Sequence, residues 1–158
     1  MDELEAAIAI AERLRASLEA EIERSRAQRL LIRSLDSDAL FESARRRELF
    51  NHRVAALDGE LRAAVAAAAL RLGLAGSSLS ALRLAAPAAG RRLAARFAEL
   101  RSLLQALREI DQLNSALTLR ALRWVRGCIT ALAPGSAGYD RRGSQAALGR
   151  LSTAVRVA

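Results

Sequence analysis

Residues 93–132 read LAARFAELRSLLQALREIDQLNSALTLRALRWVRGCITAL, and their spacing decides the fold. Leu93, Phe97, Leu100, Leu104, Leu107 and Ile110 step by three and four, the interval that stacks side chains on one side of an α-helix. The series runs on through Leu113, Leu117, Leu122, Val125, Ile129 and Leu132, and Pro134-Gly135 ends it. One helix over roughly 88–133 is predicted, about 65–70 Å long at ~1.5 Å per residue.

The same period fills the chain before it. Leu4, Ile8, Ala11, Leu14, Leu18 and Ile22 predict a first helix from about residue 3 to 34, with acids and arginines on its outer positions. Ser34-Leu35-Asp36-Ser37-Asp38 is a break rich in capping residues. A second helix, about 37–72, carries the stripe Phe50, Val54, Leu57, Leu61, Ala64, Ala68 and Leu72. The run Arg45-Arg46-Arg47 within it reads as a solvated face beside Glu42 and Glu48. Gly73 stops the helix, and residues 73–90 form a connection with a short helical turn over Leu79 to Leu84, opened by a serine cap.

The expected fold is all-α: an antiparallel bundle of three long helices, up-down-up, with a short linker helix. Residues 1–133 form one helical-bundle domain. Residues 134–158 read as a mobile C-terminal tail, with at most a short helix at Leu148, Leu151 and Val155. Two helices of ~30–36 residues cannot cover a third of ~46, so part of the last helix is expected to overhang.

Composition agrees and excludes much chemistry. Alanine and leucine supply roughly two-fifths of the 158 residues, aromatics 3%, and there are two prolines. One Cys and one His exclude an ordinary structural zinc site and any disulfide within the chain. No lysine is present, so there is no Schiff base and no P-loop lysine. Cys128 sits in an apolar stretch and reads as a small core residue. No catalytic, metal or cofactor-binding residues are expected, and the chain does not read as an enzyme. Met1-Asp2-Glu3-Leu4-Glu5 is acidic, unlike a signal peptide, and no uncharged run reaches the ~18 residues of a membrane span. A cytoplasmic protein is expected.

The formal charge is +8. Residues 1–76 nearly balance, with thirteen acids and twelve arginines, so the excess belongs to the last helix and tail. An acidic partner is one reading; GC-rich codon usage, which favours arginine and alanine, is the other.

Residues 113–132 carry a second anomaly. Leu113, Leu117, Leu119, Leu122, Trp124, Val125, Cys128, Ile129 and Leu132 spread over more than half the helix circumference. Trp124 and Leu119 leave the line Leu117–Ala121–Val125–Cys128. A helix apolar on both sides must be covered on both, and in a short chain the second cover can be another molecule. Tryptophan is a favoured interface anchor.

Four motifs, in order, carry a resemblance. They are Leu30-Leu31-Ile32-Arg33-Ser34-Leu35-Asp36 with Leu40; Gly73-Leu74 before a serine-rich link; LREIDQLNSALTLRALRWV over 107–125; and Leu132-Ala-Pro134 followed by Gly138-Tyr139-Asp140-Arg-Arg-Gly143. Together, over about residues 20–143, they resemble the flagellar export chaperone FlgN family, with Asp111 where that family often has asparagine. The resemblance implies a bundle of long antiparallel helices and a cytoplasmic chaperone for type III flagellar export. It would bind C-terminal segments of hook-associated (hook–filament junction) proteins through its last helix and contact the export apparatus. The partner-binding residues so indicated are Leu113, Asn114, Leu117, Leu119, Leu122, Trp124, Val125, Ile129 and Leu132, with Tyr139 and Asp140 in the tail. Two other readings stay open: a basic helical nucleic-acid-binding protein and a structural coiled-coil dimer. The dispersed arginines and scarce aromatics do not favour nucleic acid, and either a monomer or a homodimer fits the stripes.

Overall fold

A computed structural model of the chain describes residues 3–132, 137–139 and 145–147. Its order is α1 (Glu3–Ser34), α2 (Ser37–Arg71), α3 (Leu79–Ala85), α4 (Pro87–Leu132), then strands β1 (Ala137–Tyr139) and β2 (Gln145–Ala147). The chain divides into two compact units, Met1–Thr118 and Leu119–Ala158.

Each helix of the first unit starts and stops for a local reason. Asp36 caps α2 by accepting the Ala39 N–H at 3.0 Å. Before it, Leu35 takes a left-handed φ of 56°, which reverses the chain after α1. Gly73, at φ 67°, closes α2. Its N–H bonds Leu70 O at 3.0 Å and the Leu74 N–H bonds Ala69 O at 2.9 Å, the paired closure that glycine allows. Ser78 caps α3, and Pro87 opens α4 at the position where its missing N–H costs nothing.

Polar pairs across the helices give their directions. Between α1 and α2 the sequence separation falls from 68 at Glu3–Arg71 to 47 at Arg13–Glu60 and 26 at Glu21–Arg47, so the two run antiparallel. Between α1 and α4 it stays near constant, 87 at Glu5–Arg92 and 89 at Ser25–Asn114, so these run parallel. The bundle is up-down-up. The Arg71 hydrogen bond holds the half-buried Glu3 carboxyl below the usual carboxylate range, while Glu99 and then Glu12 raise Arg96.

The core is a leucine–alanine seam. Leu4, Ala7, Ile8, Ala11, Leu14, Leu18 and Ile22 of α1 meet Leu57, Leu61, Val65, Ala68 and Ala69 of α2. Leu93, Leu100, Leu107 and Ile110 of α4 join the same core, and Leu82 of α3 is fully enclosed. The α2 stripe departs from expectation at its end, where Val65 and Ala69 are buried and Leu72 is exposed. Leu72 is the C-cap residue, and beyond the Gly73 turn it is Leu74 that packs against the core. Gly90 lies so close to α3 that a Cβ there would stand 2.7 Å from the Arg83 Cα.

In the second unit α4 ends at Leu132, and β1 pairs antiparallel with β2, Ala137 opposite Ala147 and Tyr139 opposite Gln145. At most a short helix was expected after 134. Asp140 and the Leu148, Leu151 and Val155 spacing lie outside the described residues.

Candidate partner-binding surfaces

A polar cluster ties all three long helices of the first unit together. Glu21, Ser25 and Asn114 are buried. Arg47, from α2, donates from one nitrogen to Glu21 Oε1 at 3.1 Å, Ser25 Oγ at 3.1 Å and Asp111 Oδ1 at 3.2 Å. Its other terminal nitrogen donates to Asp111 Oδ2 at 2.5 Å, and its guanidinium lies 5.4 Å from the Phe50 ring centre. Arg24 covers the second oxygen of Glu21 at 2.7 Å. A buried carboxylate is tolerable only with such partners. The solvated-face reading of Arg45-Arg46-Arg47 holds for Arg46, which pairs with Glu42. It is corrected for Arg47, which turns inward because Glu21 and Asp111 await it there.

Asn114 belongs to the same layer. Its amide donates to Ser25 O at 2.7 Å and Gln28 Oε1 at 3.3 Å, and its oxygen accepts from Arg29 Nε at 3.4 Å. Among the expected partner-binding residues it is therefore the one already committed to α1. Leu113 is exposed and Leu117 half-buried.

A groove also opens in this unit, between α2 and α4, with Leu14 and Leu18 of α1 at its base and a volume of about 1100 Å³. Helical spacing marks which side of α4 is apolar, but not that α2 leaves part of that side uncovered.

In the second unit, Leu119, Leu122, Trp124 and Ile129 are all exposed, Trp124 and Ile129 by 64% each. Ala121, Val125 and Cys128 form a half-buried line between them. At about 100° per residue, Leu119, Leu122 and Ile129 share one side of the helix, and Trp124 stands roughly 160° from Leu122. The two-sided spread expected from sequence is thus present as exposed apolar surface. Leu132 closes α4 and Tyr139 ends β1, but their side chains lie outside the described residues.

Among the described residues no group of His, Cys, Asp and Glu is placed to hold a metal, and no helix is long and apolar enough to cross a membrane. What the surfaces offer is apolar burial with a basic margin, the chemistry of holding a polypeptide segment.

No curated protein and no solved structure matches the chain. The family model described as FlgN protein matches residues 1–147. That span takes in the polar layer, the groove and the exposed end of α4, and the chain belongs to the FlgN family of flagellar export chaperones.

Proposed function

We propose that this protein is a cytoplasmic type III flagellar export chaperone that holds the C-terminal helical segments of hook-associated (hook–filament junction) proteins. It prevents their premature assembly and delivers them to the export apparatus. The observation that carries this is the exposure of Leu119, Leu122, Trp124 and Ile129 within eleven residues of one helix. Large apolar side chains clustered in water mark an interaction site. An amphipathic segment that is unstructured when free can fold its apolar side onto them. Leu113, Leu117 and Val125 on the same helix, and the Tyr139–Asp140 tail, extend the proposed contact. Burial alone does the holding, so the mechanism calls for no cofactor and no catalytic residue.

Because Trp124 and Leu122 point in different directions, one straight helix cannot cover both. The captured segment is expected to wrap, or to contribute two short helices.

The test is calorimetry of the full chain with a hook-associated protein's C-terminal segment. Trp124→Ala should lose about 2 kcal/mol of binding, roughly thirtyfold. Melting should change by no more than about 0.5 kcal/mol, as for an exposed side chain. Unchanged affinity in both Trp124→Ala and Leu122→Ala would remove the site from this part of α4. Sedimentation of the free protein separates a monomer from a homodimer that buries the same residues.

A further inference from the structure

The groove between α2 and α4 is the vacant fourth corner of a helical bundle. α1 packs against both neighbours and supplies the base through Leu14 and Leu18; Val54 forms the α2 wall, and Phe97 and Leu104 the α4 wall. Leu104 is 40% exposed within it. Leu79 of α3 lines the groove near one end, and the Arg47–Asp111 bridge crosses from α2 to α4 beyond the other.

The dimensions suit one helix. From Phe97 to Arg108 the α4 wall runs about 16 Å, three turns. A helix of that length laid along the groove covers Val54, Phe97 and Leu104. A helix placed there completes a four-helix arrangement.

Charge narrows the occupant. Arg101 and Arg108 line the α4 wall, both exposed, and neither makes an ion pair among the described residues. They lie seven residues apart, about 10.5 Å along one side of the helix. Asp58, across the groove, is already neutralised by Arg62 at 2.7 Å. The chain's own last residues do not complement this wall, since 141–158 hold four arginines and no acid.

We propose that the α2–α4 groove is a second docking site, taking a three-turn amphipathic helix of a partner protein with two acidic residues seven apart against Arg101 and Arg108. This goes beyond the capture surface at the end of α4 and does not depend on it.

The probe is a synthetic amphipathic peptide of about fourteen residues, with leucines at helical spacing and two glutamates seven apart. It is titrated into the isotopically labelled full chain. Amide shifts are expected to centre on Val54, Phe97 and Leu104. Arg101→Glu with Arg108→Glu should weaken binding about tenfold, because two exposed pairs become repulsions. A peptide with arginines in place of the glutamates should recover binding to that double variant. Both arginines are exposed, so circular dichroism and melting of the variant should match the parent. Trp124→Ala should leave the peptide's affinity unchanged, which keeps the two surfaces distinguishable. The proposal is overturned by shifts centred elsewhere, by no binding, or by equal affinity for parent and double variant. It is likewise overturned by a dimer of the free chain that the double variant dissociates, which would show a second copy in the groove.

Discussion

Arg47 of α2 and Asp111 of α4 meet through two hydrogen bonds, 3.2 and 2.5 Å long, and the same guanidinium reaches buried Glu21 of α1. One side chain thus joins three helices. Arg47→Ala strips Glu21 of one of its two cationic partners while leaving it buried. The pair is partly solvated, so the full cost of a broken buried ion pair is discounted; about 2 kcal/mol of stability should be lost. Thermal melting should show a midpoint several degrees lower. Asp111→Asn keeps an acceptor for Arg47, and its loss should stay below about 1 kcal/mol.

Asn114 sits in the same layer but makes neutral hydrogen bonds, to Ser25 O and Gln28. Asn114→Ala should cost about 1–2 kcal/mol in denaturant unfolding. Asn114→Leu should cost more, because a larger apolar group would be pressed against the Ser25 carbonyl. In both, affinity for a captured segment measured below the unfolding transition should be retained.

Three backbone positions respond in opposite directions. Gly90→Ala places a methyl 2.7 Å from the Arg83 Cα and 2.8 Å from Leu82 O, and backbone atoms there cannot yield; about 1–3 kcal/mol of stability should go. Gly59→Ala, inside α2 with nothing within 4 Å, should gain about 0.5–1 kcal/mol. Leu35→Asn should also gain up to about 1 kcal/mol, since leucine at φ 56° occupies a conformation that asparagine tolerates better. Chemical denaturation of the three variants checks the signs.

Trp124 is the chain's single tryptophan and is 64% exposed. Its fluorescence in the free protein should have the red-shifted emission and ready quenching of hydrated indole. Addition of a hook-associated protein's C-terminal segment should shift the emission to the blue and protect it from quencher. An unchanged spectrum in a saturated complex would place the contact away from this residue.

The helices were legible because their signals are local. The step of three and four, Asp36, Ser78 and Gly73 each act within a few residues, so the last helix, read as about 88–133, falls within a residue of Pro87–Leu132 at each end. The exposed apolar spread around Trp124 was legible for the same reason. Arg47 was not, because its partner Asp111 is 64 residues away and an arginine run beside glutamates looks like any solvated face. The close approach at Gly90 depends on α3 folding back onto α4, which no spacing encodes. The groove was hidden likewise: Phe97 and Leu104 read as core, and only the packing of α2 shows that they are left open.

The cluster around Arg47 also fixes the register of the bundle. An alanine–leucine seam is nearly self-similar under translation, so α1 could slide by one turn, about 5.4 Å, and still set leucine against leucine. Any such slip would carry Glu21 away from Arg47 while keeping its carboxylate in the interior, and would part Asn114 from the Ser25 carbonyl. Shifted alignments are therefore penalised by uncompensated polar groups rather than by poorer packing. A core in which leucine and alanine predominate obtains a unique alignment from a few atoms that are not hydrophobic.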